Sequence, residues 1–94
     1  TKVIEKKPEE FLIKNLNLLI GKVTLNNGVK ILKADPLSNV KEGDIIIEVN
    51  REIIKNPKEF INLVNKIELT GRNSLLLKII RDEKSLWITI QFIK

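Results

Sequence analysis

The segment Lys41–Asn50 constrains the fold of this chain most strongly, because it joins a tight turn to a strand that favours burial. Gly43 accepts a positive backbone φ at little cost, and the Asp44 carboxylate can hydrogen-bond back to the turn. Ile45–Val49 is a short, mostly β-branched run, which is typical of a buried strand. Asn50 is a second turn former. The segment therefore predicts turn, strand and turn, with Asp44 as a turn cap and not as one of a pair of catalytic acids.

A helix is predicted shortly afterwards, over about 57–67. Asn56 is a good N-cap, Pro57 suits the first helical position, and Glu59 can bond back to the N–H of Asn56. Apolar residues recur at i, i+3, i+4 and i+7, which places them on one buried face: Phe60, Leu63, Val64 and Ile67. We expect the helix to end before Thr70-Gly71.

The other apolar segments predict a sheet with one buried face. In Ser85–Ile93, one face carries Leu86, Ile88, Ile90 and Phe92, and the other carries Trp87, Thr89 and Gln91. Further strands are predicted at Phe11–Leu16, Val29–Ala34 and Ser74–Arg81, and the connector Arg51–Lys55 has room for a two-residue strand at Ile53-Ile54. Asn17–Leu25 fits either a short helical turn or a second extended piece. Turns are predicted at Asn26-Asn27-Gly28, Asp35–Ser38 and Arg81–Lys84.

These elements predict an α+β domain. Its sheet would be a small, partly open β-barrel or sandwich of five to six strands, covered by one main helix. Residues 1–8 are polar and end in Pro8, which is typical of a linker, so 9–94 would form a single domain. Because the chain begins at Thr1 without Met and ends directly after a strand, we expect it to be the C-terminal part of a longer protein.

Composition argues against several kinds of chemistry. The 94 residues include no Cys and no His, so no thiolate or imidazole can activate a serine or bind zinc. The net charge of +5 is spread along the chain, which favours a solvated basic surface over nucleic-acid binding. No apolar run reaches transmembrane length. We expect no metal, no cofactor, no nucleic-acid partner, no membrane insertion and no catalysis by this chain.

The order of these features resembles a PDZ domain of the bacterial type. The turn and strand "GDIIIEVN" (Gly43–Asn50), the helix start "NPKEF" (Asn56–Phe60) and the closing hairpin "SLLLKIIRDEKSLWITI" (Ser74–Ile90) follow one another as in the HtrA/Deg (Do-like) periplasmic serine proteases. The resemblance runs from about Val29 to Ile93. Between Asp35 and Lys41 the chain is shorter than the family pattern, which includes a short helix there. This difference favours the C-terminal, or second, PDZ domain of such a protease.

The resemblance implies a peptide-binding groove. In such domains an extended or C-terminal peptide segment adds as a strand beside the first strand, in a groove walled by the helix. Carried onto this chain, the implied binding residues are Glu10, Phe11, Leu12, Ile13, Lys14, Leu16, Ile61, Val64 and Asn65. The implied function is a non-catalytic module of a periplasmic serine endopeptidase, which binds substrate or unfolded-protein segments and regulates proteolysis.

A second hypothesis is a degenerate domain that serves contacts between protease subunits or spacing between them. The family's carboxylate-binding loop usually carries a Gly, whereas Glu10–Ile13 has none, and Glu9 and Glu10 put negative charge where a ligand carboxylate would lie. Trp87 is either a contact residue for such assembly or a lid over the outer face of the sheet. Ile61 is either a groove wall, or it has no role in binding and is an incidental exposed residue or an extension of the core.

Overall fold

Seven antiparallel strands and one helix make up the part of the chain that the structure, a computed structural model, describes: residues 10–23 and 28–93. Their order is β1 (Glu10–Ile13), β2 (Leu18–Lys22), β3 (Val29–Ala34), β4 (Ile45–Val49), β5 (Glu52–Ile53), α1 (Pro57–Leu69), β6 (Ser74–Arg81) and β7 (Lys84–Gln91). The strands lie side by side as β1-β2-β3-β4-β6-β7, with β5 paired to β4. This open antiparallel sheet with a helix confirms the predicted α+β class and is consistent with a PDZ-like fold.

The strand count exceeds the predicted five to six. Asn17–Leu25, for which two structures were considered, is extended over β2, and the short connector strand forms as β5. The predicted turn at Asn26-Asn27 and the predicted linker 1–8 lie outside the described residues. Gly28 follows that gap at φ 119°, where an added Cβ would come within 2.8 Å of the Ile46 carbonyl oxygen. The close approach of two backbones there requires glycine.

The first strand is shorter than predicted, since it ends at Ile13 and not at Leu16. The Leu16 N–H donates to the Ile13 carbonyl over 3.2 Å, and Asn17 adopts φ 54°. Lys14–Asn17 is therefore a turn between β1 and β2. Asparagine tolerates the left-handed region better than most residues, so this is the position at which the chain can reverse.

The helix begins as predicted. The Asn56 side chain accepts a hydrogen bond from the Glu59 N–H (2.9 Å), and Pro57 occupies the first turn. The Glu59 carboxylate, however, accepts from the N–H of Lys55 (2.9 Å) and not from that of Asn56, so this detail of the predicted cap was wrong. The helix runs two residues beyond the predicted end, to Leu69, and the Thr70 hydroxyl donates to the Ile67 carbonyl.

The core lies between the inner face of the sheet and the apolar face of α1. Phe60 and Val64 are fully buried, Ile67 is 7% exposed, and Leu63 is half-buried against the same cluster. The predicted alternation in the last strand is confirmed, because Ile90 is buried while Trp87 is 48% exposed. The sheet contributes these buried residues: Ile13, Leu18, Ile20, Val29, Ile31, Ile46, Val49, Leu75, Leu77, Ile79 and Ile90. One apolar cluster therefore joins the helix to every long strand.

A buried ion pair fixes the turn before β4. The Asp44 side chain is 2% exposed and accepts two hydrogen bonds from Arg81, Nε to Oδ1 at 2.9 Å and Nη2 to Oδ2 at 2.7 Å. The Lys41 N–H donates to the same carboxylate over 2.8 Å, which confirms Asp44 as a turn cap. Arg81 also donates to the Asn39 carbonyl (3.2 Å). The partner, Arg81, lies at the end of β6 and was not predicted.

The ion pair sets the charge state of Asp44. Burial raises the pKa of its carboxyl, but the hydrogen bonds from Arg81 and Lys41 and the charges of both side chains outweigh burial. The pKa in the folded protein is therefore below its ordinary value of 3.8. A depressed pKa means that the ionised carboxylate stabilises the folded state. That stabilisation is complete above the ordinary pKa and is lost as the pH falls through the folded-state pKa.

We expect Arg81→Met to lower the free energy of unfolding by about 3 kcal/mol, because it leaves a buried carboxylate without its cation. The value lies at the low end of the range for buried pairs since the Arg81 side chain is 25% exposed. Urea denaturation at neutral pH measures it, with the exposed Arg72→Met as a matched control that should change stability by less than about 0.5 kcal/mol.

In Asp44→Asn the acid-dependent loss of stability below pH 3.8 should shrink. If that variant loses as much stability at acid pH as the unchanged protein, the assigned role of the Asp44 carboxylate is wrong.

Candidate functional site

A groove of about 450 Å³ runs between β1 and α1. One wall is β1 with the start of the following turn, and the other is one face of the helix. The residues that line it are Glu10, Phe11, Leu12, Ile13, Lys14, Asn15, Ile61, Val64 and Asn65. The structure thus brings together every residue that the sequence predicted for peptide binding except Leu16.

The strand wall of this groove is an edge of the sheet. Among residues 10–23 and 28–93, β1 pairs with β2 alone, with Glu10 opposite Gly21 and Ile13 opposite Leu18. In an antiparallel pair, alternate residues direct both backbone groups towards the neighbouring strand, and the others direct theirs away. β1 therefore presents free N–H and C=O groups on the side that β2 does not occupy. Such an edge is a template for a further strand.

The side chains of β1 divide between the core and the solvent. Ile13 is 7% exposed and belongs to the core cluster, and Phe11 is half-buried against it. Leu12 points the other way and is 60% exposed. Glu10 and Lys14 are also exposed, at the two ends of the strand wall. The groove thus has one large exposed apolar side chain between two opposite charges.

The helix wall is more apolar. Val64 is fully buried and forms part of the floor, while Ile61 is half-buried and Asn65 is exposed one turn further on. Ile61 packs against the core cluster and also lines the groove. The two interpretations offered for Ile61 are therefore compatible, because a residue at the edge of the buried stripe serves both surfaces.

Leu16 lies elsewhere. It sits in the turn after β1, is 2% exposed and packs in the core, and the hollow that it borders lies between the β3–β4 loop and β7. Its assignment to the groove assumed a strand that continued to Leu16. Because the chain turns after Ile13, the alternation that would have brought Leu16 to the groove is lost.

Asn15 is a groove residue that the sequence analysis missed. Its Nδ2 donates to Glu68 Oε1 over 2.7 Å, and its carbonyl accepts from the Ile93 N–H at 2.7 Å. Asn15 therefore ties the β1–β2 turn to the last turn of α1 and to the segment after β7. No sequence signal connects residues that lie 53 positions apart.

Trp87 lies far from the groove, on the outer face of the sheet. The Lys78 ammonium is 5.5 Å from the centre of its ring, within range of a cation–π contact, and 3.8 Å from the Glu48 carboxylate. Trp87 is paired opposite Lys78 across β6 and β7 and remains half exposed. It therefore covers the lysine stem and still offers an apolar surface.

Within the described residues, no three Asp, Glu, His or Cys side chains cluster in a way that could hold a metal ion. In the same part of the chain, the helix is too short and too polar to cross a membrane.

No protein-family model matches the chain. The chain is similar to a periplasmic serine protease. Over 69 residues it is 33% identical to a Haemophilus influenzae protein described as a probable periplasmic serine protease, do/HhoA-like. The match takes in 68% of this chain but only 14% of the relative, so the chain spans about one seventh of that protein. This weak homology agrees, at the level of the protease type, with the resemblance found from the turn, helix and hairpin.

Leu12 and Ile13 should differ sharply in their effect on stability. We expect Ile13→Ala to lower the free energy of unfolding by about 2–4 kcal/mol, because it empties a buried site. Leu12→Ala should cost less than about 0.5 kcal/mol, since the side chain is mostly in water. Urea denaturation of both variants measures this. Equal losses would mean that Leu12 is a structural residue and not a free groove surface.

Proposed function

We propose that this chain is a non-catalytic peptide-binding module that takes up an extended segment of another protein by strand addition. The observation that carries the proposal is the groove itself. It joins the edge of β1, with which no other strand pairs in the part of the chain that the structure describes, to an apolar helix face at Ile61 and Val64. Those are the two elements that strand-addition sites combine, since backbone pairing supplies affinity and side-chain contacts supply selectivity.

The bound segment would pair with the free backbone groups of β1. An apolar side chain of the segment would lie against Leu12 and Ile61, which removes apolar surface from water on both partners. Burying the exposed part of one leucine and its partner contributes about 1.5–3 kcal/mol. Affinity in the micromolar range would therefore depend on the backbone hydrogen bonds as well as on this contact.

The relative suggests the setting in which such a module works. It is a periplasmic serine protease by its description, and this chain corresponds to a seventh of it. We infer that the parent protein is a periplasmic serine endopeptidase of the Do-like type and that this chain is its C-terminal PDZ domain. Binding of unfolded-protein or C-terminal segments in the groove would deliver substrate or regulate proteolysis. The chain has no His, so the catalytic triad would lie outside it.

A matched pair of variants tests peptide binding. Leu12 and Ile53 are both exposed apolar strand residues, 60% and 69%, but Ile53 lies on β5 beside a different hollow. In NMR titrations with short peptides that have apolar centres, we expect shifts clustered at Glu10–Asn15 and Ile61–Asn65. Leu12→Asp should weaken binding at least tenfold, because it puts a charge against the apolar contact. Ile53→Asp should leave it unchanged. Shifts outside the groove, or equal losses of peptide affinity in the two variants, would contradict the proposal.

A second candidate function, subunit assembly or spacing, is favoured by Trp87. Half of this large side chain is exposed on the sheet face opposite the groove, and exposed tryptophans are frequent energetic centres of protein interfaces. The segment Pro36–Asn39 contains turns and bends and no helix, so the fold is less covered there than the family pattern suggests. In this alternative the groove would be vestigial.

Sedimentation of the chain distinguishes this candidate. If Trp87 carries a contact between subunits, the chain should self-associate at high concentration, and Trp87→Ala should shift it to monomer with peptide binding intact. Leu37→Ala, at another highly exposed apolar residue, is the control. A monomer at every concentration, with or without Trp87, would argue against self-assembly through this face.

A further inference from the structure

The two ends of the groove are built differently. At one end the 2.7 Å hydrogen bond from Asn15 to Glu68 crosses from the β1–β2 turn to α1 and closes the groove. Ile61 lies seven residues before Glu68, which is about 10 Å along the helix axis. Among residues 10–23 and 28–93, no such hydrogen bond crosses the groove where Ile61 and Glu10 lie, so we call this the open end, and β1 runs from the open end to the closed end.

The closed end carries mixed charge. Glu68 contributes a carboxylate, which accepts the Asn15 hydrogen bond, and the C-terminus of α1 adds the partial negative charge of its last carbonyl groups. Lys14 lines the groove at this end and is a cation, whereas the helix cation Lys66 lies beside the β5 hollow. The charges at the closed end therefore offset one another.

The open end is also acidic, because Glu10 lines it and is exposed. A strand that pairs antiparallel with β1 runs from the closed end to the open end, so its C-terminal side passes Glu10. A strand that pairs parallel would place its C-terminus at the closed end, beside Lys14 and Glu68. Antiparallel pairing is the more stable arrangement, and in that direction a free carboxylate meets the negative charge of Glu10.

We propose that the groove takes internal extended segments that run antiparallel to β1, with an apolar residue against Leu12 and Ile61 and a lysine or arginine beside Glu10. The N-terminal side of the segment lies at the Asn15–Glu68 bridge. The C-terminal side continues out of the open end. This inference rests on the proposed function and specifies the ligand class that the same groove selects.

The direction of the bound segment can be measured with a spin label. The probe is a short acetylated and amidated peptide with an alternating valine–threonine centre followed by one lysine. A label at its N-terminal end should broaden the NMR signals of Asn15 and Asn65 in the full chain. A label at its C-terminal end should broaden those of Glu10 and Ile61. The reverse pattern would overturn the proposed direction.

The charge preference is measured with four matched peptides. Replacing the lysine by glutamate should weaken binding about two- to five-fold, the size expected for one exposed charge pair. Glu10→Gln should remove most of that difference, whereas Glu52→Gln, which removes an exposed charge beside the β5 hollow, should preserve it. A third peptide, which ends in a free carboxylate directly after the apolar centre, should bind more weakly than its amide.

The outcomes separate the inference from the proposed function. If the free-carboxylate peptide binds tenfold better than its amide, the groove captures C-termini and the inference fails while peptide binding stands. If the lysine preference persists in Glu10→Gln, the assignment of Glu10 is wrong. If none of the peptides shifts the groove signals at millimolar concentration, peptide binding fails and the inference fails with it.

Discussion

The ion pair between Asp44 and Arg81 is the interaction on which the sheet depends. It joins the turn before β4 to the end of β6, and Arg81 also holds the Asn39 carbonyl. The Asn39 side chain then donates to the Thr89 carbonyl on β7 (3.1 Å). The Arg81 guanidinium, together with Asn39, therefore fixes the loop before β4 against β6 and β7. The Asp44 carboxylate is almost completely buried, so its hydrogen bonds must offset the free-energy cost of removing it from water. The loop therefore favours the one geometry in which all of these hydrogen bonds form.

The position of β4 and β6 in turn places the helix and the groove. α1 packs its apolar face on the inner side of the sheet, with Phe60 and Val64 fully buried. Its neighbouring face, at Ile61 and Asn65, is left beside β1. The groove therefore forms because a helix with one buried stripe covers only part of a sheet whose edge strand is short. No separate structural device is needed to create the groove.

One hydrogen bond makes the two ends of the groove different. Asn15 connects the β1–β2 turn to Glu68, and its carbonyl receives the N–H of Ile93. Three distant parts of the chain thus meet at one end of the groove, beside the negative end of the helix. Strand pairing alone would accept a peptide in either direction, and the antiparallel direction that we propose rests on the Glu10 charge at the open end and on the greater stability of antiparallel pairs.

Local chemistry in the sequence determined the main elements. The Asn56 cap, the proline after it and the apolar spacing predicted α1 to within two residues, and the closing pair of strands was predicted with the buried face of the second, β7, read from its alternation. Asp44 was predicted as a turn cap because short-range hydrogen bonding is encoded within a few residues. The family resemblance supplied the groove residues, and the structure gathers all but Leu16 beside α1. What the structure decided was long-range: the turn after Ile13 that buries Leu16, the Arg81 partner of Asp44, and the Asn15–Glu68 bridge. Each depends on residues that are distant in the chain, and spacing along a sequence carries no information about which distant groups will meet.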